Sequence, residues 1–221
     1  MECTPTFLRA RRPEHKQQRY DAIRAAAREL ALERGVRSVS LGDIAAAVGV
    51  QKSAIMRYFR TREEIYLSIA ADCWTDWSQA LHAELDGVSD GSPRLLADVL
   101  AHTLADRPLL CDLLVQAPLN LERHVSTDAV RSFKVTVLDV VDELAALVGR
   151  VEPRLGPEGG FELVAALACF AASIWQASHP SAPLAALYQQ EPELARACPD
   201  FVPTIHRFTL VLIAGLLAPA A

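Results

Sequence analysis

Apolar residues recur at helical spacing along nearly the whole 221-residue chain, and no stretch alternates apolar with polar as a half-buried strand would. Ile69, Cys73, Trp77 and Leu81 fall every four residues on one side of a long segment, residues 62–85. Ile23, Ala27, Leu30 and Ala31 mark an earlier stripe over residues 14–34, which Gly35 ends. Later patterns cover residues 93–106, 108–116, 127–150, 161–178 and 201–217, with a short turn of helix at 184–190. Arg107-Pro108, Ala117-Pro118 and the runs 156–160 (GPEGG) and 179–183 (HPSAP) are the expected breaks. Aromatics are only 6% of the chain, which also favours helix over sheet. The expected fold class is all-α.

Charge is divided along the chain. Residues 1–70 carry 13 Lys/Arg against 8 Asp/Glu, and the remainder carries 9 against 19, within a net charge of −5. A basic N-terminal third on an acidic remainder suits a small polyanion-binding unit joined to something else. The five cysteines include no CxxC pair, the odd count suits a reducing compartment, and the N-terminal twenty residues lack an apolar signal core. The longest uninterrupted apolar run, residues 210–218, is far short of the roughly 20 residues of a membrane span. The chain is therefore expected in the cytoplasm with no membrane partner.

The segment with the most chemistry is residues 40–59, SLGDIAAAVGVQKSAIMRYF. Ser40 is placed to cap a short helix over 41–48, with Asp43 as the acidic member of a capping box. Ala45 allows a close approach, and Gly49 permits the positive φ of a sharp turn. A second helix over 51–59 follows, and Thr61 caps the long helix after it. Ile44, Val48, Val50, Ile55 and Phe59 form a small shared core. With Ile55 and Phe59 inward, Ser53 and Arg57 point about 160° away from Ile55. Gln51 and Lys52 stand at the start of that second helix. Such a face fits a recognition helix in the major groove, with Arg57 reading guanine, Lys52 reaching a base or phosphate, and Tyr58 a phosphate. A merely solvated polar face is the alternative.

The run Gly35, Ser40-Leu41-Gly42-Asp43-Ile44-Ala45, Gly49-Val50-Gln51-Lys52-Ser53 and Tyr58-Phe59-Arg60-Thr61-Arg62-Glu63 resembles the N-terminal domain of the TetR family of transcriptional regulators, over residues 16–76. The resemblance implies a three-helix DNA-binding head at 14–62 behind a flexible basic tail at 1–13. It also implies a helical effector-binding and dimerisation body at 63–221. It implies a homodimer on a palindromic double-stranded DNA operator, acting as a repressor released by a small-molecule effector. By position, Ser40, Lys52, Tyr58 and Arg62 carry over as DNA-contacting residues. Gln51 stands where a capping Ser is common, Ser53-Ala54 where Gly-Thr is frequent, and Met56 where Tyr is frequent.

Candidate effector residues are Cys73, Trp74, Trp77, His102, Cys111, Phe133, Phe170 and Trp175, around a mostly apolar pocket between helices. A lipophilic effector suits them, although Trp and Phe at helical spacing also build cores. His102 and His124 lack partners at metal spacing, so neither metal nor cofactor is expected. The segments 161–175 and 201–217 are apolar nearly all round and are expected to pair with those of a second copy in a four-helix interface. Two other readings are an interaction module with an inactive head and an all-α enzyme. No nucleophile elbow, phosphate loop or dinucleotide fingerprint supports the enzyme.

Overall fold

The computed structural model describes residues 11–89 and 91–218, with the side chains of 11–13 left aside. Among the described residues there are helices and turns but no strands. In order they are α1 (Arg11–Arg34), α2 (Leu41–Val48), α3 (Lys52–Ile55), α4 (Arg62–Leu85), α5 (Pro93–Ala105), α6 (Pro108–Leu119), α7 (Thr127–Val151), α8 (Gly156–Ser178), α9 (Ala182–Gln190) and α10 (Phe201–Leu216). Helix α1 starts at Arg11, so residues 11–13 of the expected tail belong to its first turn, and residues 1–10 lie outside the described residues.

The elements begin and end for local reasons. Ser40 and Thr61 take extended backbone angles, and their hydroxyls accept the amides of Asp43 and Glu64, which starts α2 and α4 where their capping residues stand. Helix α3 is shorter than expected, but backbone bonds from Tyr58 and Phe59 to the Ile55 carbonyl carry its turn onward. The expected break at 156–160 is instead the opening of α8. Pro157 sits in the first turn, where an amide would have no intrahelical acceptor. The chain breaks earlier, at a 3-10 turn over Pro153–Leu155. The expected break at Ala117-Pro118 is likewise absent: α6 runs through both to Leu119, with Pro118 inside the helix.

Helix α4 is the axis of the molecule. Its residues Ile65, Ile69, Trp77 and Leu85 are completely buried, and it touches α1, α5, α6 and α7. It passes unbroken from the small N-terminal unit into the body. There α7 and α8 pack together and α10 lies across α5 and α8. Gly160 on α8 meets α7 so closely that an added Cβ would stand 2.5 Å from the Ala145 carbonyl oxygen. The segment Pro153–Ser178 is long and apolar enough to cross a membrane by length and composition, yet it packs on α6, α7 and α10 as a core helix does.

Candidate DNA-reading head and effector cavity

The head is α1, α2 and α3. Gly49 closes the α2–α3 turn at φ +71°, donating its amide to the carbonyls of Ala45 and Ala46. Nothing lies within 4 Å of its missing Cβ, so backbone conformation alone requires glycine there. The capping box is complete: the Asp43 carboxylate accepts the Ser40 amide at 2.8 Å and the Ser40 hydroxyl at 2.6 Å. Those two bonds hold the Asp43 carboxyl below the usual carboxylate range. Ile44, Ile55 and Phe59 are buried in the small core, with Val48 and Val50 half-buried against it. Phe59 stacks on Tyr20 of α1, ring centres 4.6 Å apart.

This packing leaves Gln51, Lys52, Ser53, Met56 and Arg57 exposed on one side of the second helix of the pair. The Lys52 stem crosses α2 beside Gly42, whose missing Cβ would lie 3.0 Å from Lys52 Cε. Among the described residues neither Lys52 nor Arg57 has an acidic partner, whereas Arg24 and Arg28 of α1 pair with Asp72 and Asp76 of α4. Two unpaired cations on an exposed helix are therefore available to a polyanion. Tyr58 is half-buried and shares an open cleft with His15, Lys16 and Arg19 of α1. Sequence reasoning missed these three residues. Their signal was a basic i, i+1, i+4 spacing near the start of the first helix.

Arg62 departs from expectation. Its side chain is 18% exposed, and its guanidinium donates to the carbonyls of Val36 and Val39 and, at 3.1 Å, to Glu63. It also lies over the Tyr66 ring, 4.8 Å from the centre. Arg62 thus acts as a strut inside the head, holding the α1–α2 connector onto α4. From the other side Asp112 of α6 accepts the Val36 amide at 2.8 Å.

In the body, a cavity of about 190 Å³ opens between α4, α6, α7 and α8. Its walls include Ala70, Trp74, Leu110, Leu113, Leu114, Phe133, Val137 and Ala168. Glu122, Lys134 and Cys169 add polar groups, with Lys134 Nζ 2.7 Å from Glu122 Oε1. Of the expected effector residues, Trp74 and Phe133 meet here and six do not. Trp77 is core, its indole N–H donating to the Thr103 hydroxyl at 3.1 Å. Cys111 is core too, its thiol pushed up to about 12 by burial. Cys73, pushed up to about 11 by burial, faces a separate hollow with Arg28, Asp76 and Arg107. His102 is exposed on α5, and Trp175 stacks on His179 at 3.7 Å. Phe170 faces outward at 38% exposure beside Phe208. Helical spacing sorts inward from outward, but cavity wall and solid core are both inward.

A two-helix reader on a helical body with an apolar cavity defines a ligand-responsive DNA-binding regulator, and family comparison agrees. The model described as "Bacterial regulatory proteins, tetR family" matches residues 23–69, and "Tetracyclin repressor-like, C-terminal domain" matches residues 71–220. The chain belongs to the TetR family of transcriptional regulators. A search of curated proteins finds no significant match. Solved structures share the fold at low identity. A transcriptional regulator from Rhodococcus sp. RHA1 superposes with a TM-score of 0.56 at 18% identity, covering 90% of this chain and 95% of that one. AmtR of Mycobacterium smegmatis gives 0.51 at 20% identity, covering 90% and 86%. Thermus thermophilus FadR, a TetR-family repressor in complex with lauroyl-CoA, gives 0.52 at 17% identity, covering 91% and 97%.

Proposed function

We propose that two copies of this chain bind a palindromic operator in the cytoplasm as a repressor, and that a small lipophilic effector releases them. The observation that carries the reading is the exposed face of Lys52, Ser53 and Arg57, with two unpaired cations, held on the segment that follows the capped helix α2. Arg57 reads a base. Gln51, Lys52 and Ser53 add base or phosphate contacts, Ser40 and Tyr58 take phosphates, and His15, Lys16 and Arg19 extend the phosphate surface along α1.

The dimer forms through α8 and α10. Phe161 and Phe170 on α8 and Val211 on α10 are exposed at 37%, 38% and 65%. Phe161 and Phe170 stand at the two edges of the exposed stripe of α8, nine residues and about 180° apart, and exposed apolar groups there and on α10 favour burial against a second copy. The effector enters the cavity beside Trp74 and Phe133. A cavity near 150 Å³ holds one benzene ring, so about 190 Å³ suits a single ring or short acyl chain in the conformation described. FadR of Thermus thermophilus, a relative in fold, is bound to lauroyl-CoA, a ligand that carries an acyl chain.

Fluorescence anisotropy on DNA from upstream of the gene, across a salt series, tests the reading. Tight, salt-dependent, sequence-selective binding that Arg57→Ala weakens is the expected result. Weak binding equal on all sequences would leave the head without an operator function.

A further inference from the structure

Three elements meet at Asp112. One carboxylate oxygen accepts the Val36 amide of the connector between α1 and α2 at 2.8 Å, and the other accepts the Gln176 side-chain amide of α8 at 3.1 Å. Asp112 itself stands on α6. Gly35 ends α1 next to it at φ +77°, so the chain turns into the connector right at this carboxylate. Arg62 fixes the same connector to α4 through the carbonyls of Val36 and Val39. The connector is therefore part of the head's rigid frame, and Asp112 grips that frame from the body.

Gln176 has a second property. On a helical wheel it lies about 20° from Cys169, about 40° from Glu162 and about 60° from Ser173, within the exposed stripe of α8. Phe170 borders that stripe. The bond chain from Gln176 through Asp112 to Val36 thus runs from α8, the helix proposed above to pair with a second copy, to the base of the reading head.

We propose that Asp112 is the positioning residue that fixes the angle of each reading head to the α8 face, and so sets the spacing between operator half-sites that the dimer accepts. The inference rests on the dimeric reading above. Each added base pair turns one half-site by about 34° around the duplex and moves it along the axis, so a head of fixed angle tolerates few spacings. A head freed at its base follows the half-site. The contacts that Asp112 makes do not touch α3, so the affinity of a single head for its own half-site is independent of it.

The test uses the full chain and an operator selected from a random duplex pool, rebuilt with its half-sites one to three base pairs nearer or farther. The wild-type chain is expected to lose roughly a hundredfold in affinity at spacings that forbid both heads engaging. Asp112→Ala should lose several times less across the same series, with unchanged affinity for a duplex carrying one half-site. Gln176→Ala, at an exposed position, should flatten the series partway, which keeps the proposal testable if Asp112→Ala does not fold. Asp112→Asn, which retains an acceptor for the Val36 amide, should restore much of the steepness. A variant series as steep as the wild type overturns the proposal, as does loss of half-site affinity in Asp112→Ala. A wild-type chain indifferent to spacing overturns the dimeric reading itself, and a dimer in sedimentation with normal spacing dependence separates the two failures.

Discussion

Four cations of the head illustrate how differently residues of one charge behave once their neighbours are known. Arg57 is exposed without an acidic partner, so Arg57→Ala should cost about 1–3 kcal/mol on the preferred operator and relax preference at one base per half-site. Competition with duplexes substituted position by position measures it. Lys16 and Arg19 border Tyr58, so their alanine variants should weaken all sequences alike, each lowering the salt slope by about one. Arg62 occupies two connector carbonyls from a mostly buried position. Its alanine variant leaves both carbonyls without that donor and should cost about 1–3 kcal/mol of stability, read as a lower thermal midpoint before any DNA is added. The residue types alone place Arg57 and Arg62 together as DNA contacts and do not single out Lys16 and Arg19. Only the packing of the connector against α4 separates Arg62 from the others.

Among the elements, those that start at a capping side chain were legible. The boundaries of α2 and α4 follow from Ser40 and Thr61, because a cap acts on amides two or three residues away. The start of α8 was not legible, because the same proline that breaks a helix interior is tolerated in its first turn. The cavity was legible only as a class. Trp74 and Trp77 are three residues apart with rings in contact at 5.6 Å, yet one is wall and the other core. Filling the cavity should uncouple release from binding: Ala70→Leu on α4 is expected to keep operator affinity while raising the effector concentration needed for release, measured by titrating preformed complex. The thiols of α4 and α6 give a second expectation. Burial raises Cys73 to about 11 and Cys111 to about 12, so folded and unfolded chains both hold neutral thiols below about pH 8.5. Above that pH the unfolded chain ionises first, so stability falls as pH rises toward those values. Denaturant midpoints between pH 8 and 11 should show a shallower decline in Cys111→Ala than in the wild type.

For the whole molecule, the proposed pairing through α8 and α10 is tested at their exposed apolar residues. Val211→Asp places a charge at the most exposed of the large apolar positions on α10 and should shift sedimentation toward monomer at micromolar concentration. Affinity for the full operator should then fall toward that for one half-site. Retention of the dimer would move the interface elsewhere.

Gly160 sets a mechanical condition on the cavity. Helices α7 and α8 run antiparallel through a short turn and touch backbone to backbone at Ala145 and Gly160. Val137 and Ala168, which both line the cavity, stand eight residues from that contact on their respective helices, about 12 Å away along each axis. The two helices are arranged like tongs, with the fulcrum at the glycine and the jaws at the cavity. On the effector reading proposed above, a bulkier occupant is expected to spread the jaws without separating the fulcrum, and a side chain placed at the fulcrum to change the jaw opening with nothing bound. The size of molecule accepted would then be governed partly by a residue that none of them reaches.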